Sequence, residues 1–172
     1  MLFRSAPFFD DFHLRPVPGN EEMIQLEWRQ RDSDYPFRAS QLSDGTLRFI
    51  CLATALLQPN PPPTMLFDEP ELGLHPYALT LLGGLFRQYA SRGLYVSRQA
   101  IVSTQSALLL NEFSPEDVIV VERSQGQSSF RRLAAEDLSE WLQEYSLGDL
   151  WQKNVLGGRP ADERQPELAP EA

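Results

Sequence analysis

Met65-Leu66-Phe67-Asp68-Glu69-Pro70-Glu71-Leu72-Gly73-Leu74-His75-Pro76 is the stretch on which the fold turns. A short apolar run, Thr64 to Phe67, ends in two adjacent carboxylates, and a proline follows at once. Such a run reads as a buried strand. Side chains alternate along a strand, so Asp68 and Glu69 point to opposite sides of the chain, at the carboxyl edge where α/β proteins bind ligands. One acid can hold Mg²⁺, directly or through water, while the other positions and activates a water. The plainer reading is a pair of solvated acids at a strand end. It is weakened by the apolar run before the pair and the proline after it, which fix where the pair points.

Upstream, Leu47, Ile50, Cys51, Thr54 and Leu57 recur at threes and fours, so Gly45 to Gln58 reads as a helix with these residues as its stripe. Ser43 is its N-cap candidate, and Pro59 to Pro63 ends it. Met23 to Arg29 alternates as a strand, with Ile24, Leu26 and Trp28 on one face, and Asp32 to Pro36 follows as a turn. Residues 1–20 carry three prolines among many aromatics and read as an irregular apolar entry. Downstream, Pro76 to Tyr89 reads as a helix with Pro76 in its first turn. Ala100 to Ser103 is a second short buried strand, Ser106 to Asn111 a short helix, and Asp117 to Glu122 a strand. The turn at Gln125-Gly126-Gln127 leads into Ser129 to Leu133 and a terminal hairpin. A last helix, Ala135 to Tyr145, carries Leu138, Trp141, Leu142 and Tyr145 as a core stripe. From Gly157 the chain has almost nothing to bury, so residues 157–172 are expected to be a disordered tail behind a domain at 1–156.

The totals narrow the class. At 172 residues, 42% hydrophobic and 23% charged, the chain suits a packed domain. A net charge of −9 argues against coating nucleic acid or anionic membrane, which demands a broad basic field. Phe49 to Leu57, the longest nearly apolar run, falls far short of the ~20 residues that span a bilayer. No signal-peptide pattern opens the chain, and Cys51 is the single cysteine, so a cytoplasmic protein without a membrane is expected. Of fifteen basic residues only Lys153 is a lysine. It sits in Gln152-Lys153-Asn154, lacking the glycine and the hydroxyl residue that a phosphate-binding P-loop needs.

Two further segments bear on nucleotide chemistry. Leu42-Ser43-Asp44-Gly45-Thr46 opens a helix with a hydroxyl and a glycine, exposing backbone N–H groups at the positive end of the dipole. An ordinary N-cap is the plainer reading, and the charge of Asp44 opposes a phosphate. Ser103-Thr104-Gln105-Ser106 places polar side chains after a strand, which alone reads as a loop.

Taken in order, these segments resemble the carboxyl-terminal half of an ABC-type ATPase of the RecF/SMC branch, specifically the RecF-like AAA-family ATPases of bacteria. Leu42 to Thr46 is similar to the ABC signature, Met65 to Glu69 to the Walker B strand, Leu72 to Pro76 to the D-loop region, and Ser103 to Ser106 to the switch segment. The likeness runs from about Phe9 to Pro160 and includes Asp117 to Arg123 and the Leu150 to Pro160 ending. It implies an α/β, P-loop NTPase lobe with a mostly parallel sheet, flanking helices and a terminal hairpin. It also implies ATP and Mg²⁺ as cofactors. Asp68 would hold the metal through water, Glu69 would be the general base, and Gln105 would stand in the switch position. Ser43, Asp44 and Gly45 would meet the γ-phosphate of a nucleotide bound mainly by another lobe. His75 would shape a dimer interface or serve as a structural residue before Pro76.

Two positions depart from the family pattern. Gln105 replaces the usual histidine; an amide donates a hydrogen bond but carries no proton near neutral pH. Asp44 replaces the first signature glycine. The Walker A half is also missing from these 172 residues, so the partner implied is a Walker A-bearing lobe or a second copy set head to tail. An uncovered strand edge and helix face are expected to go with this. DNA repair or defence is the family's association, yet Arg131-Arg132 is too small a basic cluster to read as a DNA site. The competing readings are a non-catalytic interaction module and, further off, a metal nuclease, which would want more acidic or histidine ligands at other strand ends.

Overall fold

The computed structural model describes residues 9–91, 97–124 and 126–158. The chain divides into two compact units between Ser103 and Thr104.

The first unit opens with an antiparallel sheet. β1 (Phe9–Val17) turns at Gly19, whose φ of 81° suits a glycine, into β2 (Asn20–Gln30), which pairs in turn with β3 (Pro36–Arg38). The irregular entry expected for residues 1–20 is therefore replaced, from Phe9 onward, by a strand. The prolines obscured a period of two: Phe12 and Leu14 alternate with Asp11, His13 and Arg15 and lie opposite Trp28 and Leu26. Pro16 is tolerated because β1 is an edge strand. Trp28 stacks on Phe37 at 4.7 Å, tying β2 to β3.

α1 (Asp44–Leu57) matches the expected helix, but its buried stripe differs. Ala53 and Leu56 are buried, whereas Leu47 is 40% exposed and Cys51 and Thr54 face solvent. The helix is apolar nearly all round, so periodicity alone did not choose its inner face. β4 (Thr64–Asp68) and β5 (Gln99–Ser103) pair in parallel, from Thr64 opposite Gln99 to Asp68 opposite Ser103. α2 (Pro76–Ser91) connects them, completing a βαβ unit. Leu79, Leu82, Leu85, Phe86 and Tyr89 of α2 are buried, and Phe86 meets Phe67 edge to face at 5.0 Å. Both strands were expected to be buried, yet each is covered on one face only: Leu66 is 75% exposed and Ile101 49%. α2 covers the Phe67 side, and among the described residues nothing covers the other.

The second unit begins with α3 (Ala107–Leu110), capped by Ser106, and continues with the hairpin β6 (Ile119–Ser124) and β7 (Gln127–Arg132). α4 (Ala135–Leu138) and α5 (Leu147–Gln152) follow. Its core gathers Val120, Leu133, Leu138, Leu147, Leu150 and Leu156. Gly148 lets α5 approach α3, since a Cβ there would lie 2.4 Å from the Ala107 carbonyl oxygen. The single helix expected over Ala135 to Tyr145 is broken: α4 stops at Leu138, and a 3₁₀ turn covers Trp141–Gln143. The Ser139 hydroxyl donates to the Glu136 carbonyl at 3.0 Å and competes with the helix ladder. Trp141, expected in the core, is 47% exposed.

The α/β class and the terminal hairpin agree with the sequence. The parallel pairing is narrower than a mostly parallel sheet, being confined among the described residues to β4 and β5. The other two sheets are antiparallel because tight turns at Gly19 and Gly126 can join only antiparallel neighbours. The tail expectation falls on residues 159–172, outside the described residues. Gly157 and Gly158, assigned to that tail from sequence, follow the buried Leu156, and Gly158 N–H donates to Glu122 Oε1 at 3.1 Å.

Candidate functional site

The site is built where β4 ends. In-register parallel pairing sets Asp68 beside Ser103, and the Ser103 hydroxyl donates to Asp68 Oδ1. Both side chains are exposed. Glu69 continues the ladder by one bond, its N–H donating to the Ser103 carbonyl at 3.0 Å. Its own φ is then 42°, in the left-handed region that side-chain-bearing residues seldom enter. The chain leaves the strand abruptly there, and Glu69 remains half-buried while Pro70 behind it is buried. Backbone strain of this kind persists where the surroundings over-determine it and gathers at functional sites.

The loop after Glu69 is closed by its own main chain. Leu72 N–H donates to the Glu69 carbonyl at 3.2 Å, and Leu74 N–H to that of Glu71 at 3.0 Å. Gly73 has a φ of 75°. The start of α1 rests on this loop: a Cβ on Gly45 would lie 2.1 Å from the Gly73 carbonyl oxygen, so only glycine fits. Arg48 Nη1, on the next turn, donates to the Leu72 carbonyl at 3.1 Å. The sequence thus brings two of its three motifs, Ser43 to Gly45 and Asp68-Glu69, into one connected substructure.

Ser43 does cap α1. Its Oγ accepts from Thr46 N–H at 3.2 Å and lies 2.8 Å from the Thr46 hydroxyl. When Thr46 donates across that pair, the Ser43 proton is left to point outward. The N–H groups of Asp44 and Gly45, as in any first helical turn, meet no carbonyl within the helix. Asp44 and Ser43 are both exposed. The arrangement serves as a cap and also offers a hydroxyl and main-chain donors to an anion.

The remaining expected residues are placed differently. Gln105 is exposed and belongs to the second unit, two positions past the end of β5. His75 Nδ1 accepts from Tyr77 N–H at 3.2 Å, a structural bond at the start of α2. Lys153 lies over the Tyr145 ring at 5.0 Å. Three contributors went unrecognised in the sequence. Ser103 as the partner of Asp68 becomes visible only once β4 and β5 are aligned. Gly73 was signalled by its place between two leucines, but the contact it makes with Gly45 was not. The Arg48 bond to a carbonyl 24 residues away leaves no sequence pattern.

The donors at Asp68 are all oxygen, a carboxylate with a hydroxyl beside it. This suits Mg²⁺, which keeps several waters and binds through one or two carboxylates plus substrate phosphates. Among the described residues no group of three His, Cys, Asp or Glu side chains comes together as a metal cage.

A strand-end acid pair on a βαβ unit, with a glycine-containing helix start locked to the following loop, fits the fold class of P-loop NTPases. Comparison with known proteins agrees. Residues 2–111 match the family described as AAA domain, putative AbiEii toxin, type IV TA system, and the chain belongs to this family. Over 68 residues the chain is 38% identical to the Nod factor export ATP-binding protein I of Rhizobium etli. That match covers 40% of this chain and 21% of the relative, so the chain corresponds to about a fifth of that protein.

Among solved structures, a chain from work on ATP-driven dimerization and DNA-stimulated activation of SMC ATPases superposes with a TM-score of 0.59 at 20% identity. The superposition covers 83% of this chain and 85% of that one. The Smc head domain with an extended coiled coil, bound to the C-terminal domain of ScpA from Pyrococcus furiosus, gives 0.59 at 19% identity. It covers 83% of this chain and 35% of that one. The fold is therefore that of SMC ATPase heads, and ATP with Mg²⁺ is the ligand pair the family implies. No helix among the described residues is long and apolar enough to cross a membrane.

Proposed function

We propose that residues 1–156 act as the carboxyl-terminal lobe of a RecF-like ABC ATPase, supplying the signature, the metal-binding acid and the catalytic acid. In this reading the phosphate-gripping lysine comes from residues outside these 172. The observation that carries it is the junction of β4 and β5, where Asp68 takes the Ser103 hydroxyl and Glu69 stands in a left-handed backbone conformation.

Asp68 and Ser103 would hold Mg²⁺ through its waters. When bound, the metal neutralises charge developing on the β- and γ-phosphate oxygens. Glu69 accepts a hydrogen bond from the attacking water, orients it and takes its proton. Ser43 and the N–H groups of Asp44 and Gly45 cap the γ-phosphate of a nucleotide held mainly by a partner lobe. Gln105 would donate an amide N–H to phosphate. The partner is a Walker A-bearing lobe or a second copy in a head-to-tail pair, in keeping with the ATP-driven dimerization named for the SMC relative. DNA repair or defence against foreign DNA is the process this family membership suggests.

The test is hydrolysis. The chain alone should turn over no ATP. Mixed with a Walker A-bearing lobe it should hydrolyse ATP, and Glu69→Gln should lower kcat by about 10²-fold or more. Turnover by the chain alone that disappears in Glu69→Gln would show that no second lobe is needed. An inert mixture would favour the second reading, a non-catalytic interaction module. That reading draws on the uncovered apolar face at Leu66 and Ile101.

A further inference from the structure

We infer that Arg48 is a positioning residue that sets Glu69 from the start of α1; this rests on the role proposed above for Glu69. A left-handed glutamate holds its conformation only under several constraints. Its N–H is fixed by the Ser103 carbonyl at 3.0 Å, and its carbonyl receives the Leu72 N–H at 3.2 Å. The Leu72 carbonyl, on the other side of the same Cα, receives Arg48 Nη1 at 3.1 Å. Two consecutive hydrogen bonds therefore run from the Arg48 guanidinium to the Glu69 main chain. The donor is charged, which makes this the stronger kind of hydrogen bond.

A second contact bounds the relay. A methyl group on Gly45 would strike the Gly73 carbonyl oxygen, so the first turn of α1 and the loop are in direct contact and cannot move closer. The helix end that faces an anion and the residue that faces the attacking water are thus joined by one bond relay and one steric stop. Seating of a phosphate on Ser43 is transmitted along this path to the backbone angle of Glu69. Arg48 touches neither nucleotide nor water; it acts by holding Leu72.

Two measurements test this. In the assembly with a Walker A-bearing lobe, Arg48→Ala should lower kcat about tenfold while KM for ATP stays within about twofold, and Arg48→Lys should recover most of the loss. In a Glu69→Gln background Arg48→Ala should cost nothing further, because the two act as one unit. An unchanged kcat, or a loss that persists in full in that background, overturns the proposal. Amide hydrogen exchange on the chain alone is independent of catalysis. Arg48→Ala should speed exchange at Leu72 and Leu74 about tenfold, and unchanged protection there overturns the relay. If the wild-type assembly hydrolyses no ATP, the functional reading fails, and the exchange result alone decides whether Arg48 holds the loop.

Discussion

The two units solve the burial problem differently. The second closes a core of its own, with Leu150 fully buried and Leu138, Leu147 and Leu156 around it. The first carries all the strand-end chemistry and leaves one face of β4 and β5 open, with Leu66 75% exposed. The strand-end acid pair thus sits in the first unit, on a sheet that α2 covers on one face only.

The contrast can be broken most directly through the core. Leu150→Ala should cost about 3 kcal/mol of unfolding free energy in urea, because it leaves a cavity with no neighbour free to fill it. A loss below about 1 kcal/mol would mean that Leu150 does not sit in a close-packed core. A smaller effect is expected at Glu69. Glycine there should be more stable than alanine by about 1 kcal/mol, since glycine relieves the left-handed backbone and alanine keeps it. Parity of the two variants would remove the argument from strain.

Acid titration should separate the units further. The Asp149 carboxyl is held below its ordinary value of 3.8, first by the Ser146 hydroxyl and then by the Ser146 N–H. Its contribution to the second unit is present above that ordinary value and fades as pH falls through the lowered one. Asp149→Asn should therefore flatten the acid limb of a thermal-melting profile while leaving the neutral limb nearly level. The smallest effect belongs to the open face. Leu66→Ser should change the stability of the chain by no more than about 0.5 kcal/mol, yet weaken association with a covering lobe.

Much of the site-bearing region was legible because its signals are local. The proline run after Gln58 ends α1, and the acid pair ends β4. Ser43 caps the helix it was read to cap. What escaped depends on partners distant in sequence. β1 was hidden because Pro16 and the prolines on either side of the strand mask an alternation that only β2 makes useful. The helix at Ala135 broke where the Ser139 side chain bonds the Glu136 carbonyl, a choice that apolar spacing does not encode. At the site, the acids were visible as residue types. The hydroxyl on Asp68, the glycine contact and the Arg48 bond depend on β-strand register and loop closure, which no single segment specifies.

The pleat of β4 has one more consequence. With a period of two, Leu66 and Asp68 leave the strand on the same side, as Ile101 and Ser103 do on β5. Whatever shields the bare leucine and isoleucine from water must end up next to the carboxylate and its hydroxyl partner. In the proposed ATPase, covering that face would also take Asp68 and Ser103 out of solvent, so that assembly and the drying of the metal-binding acid would be a single event.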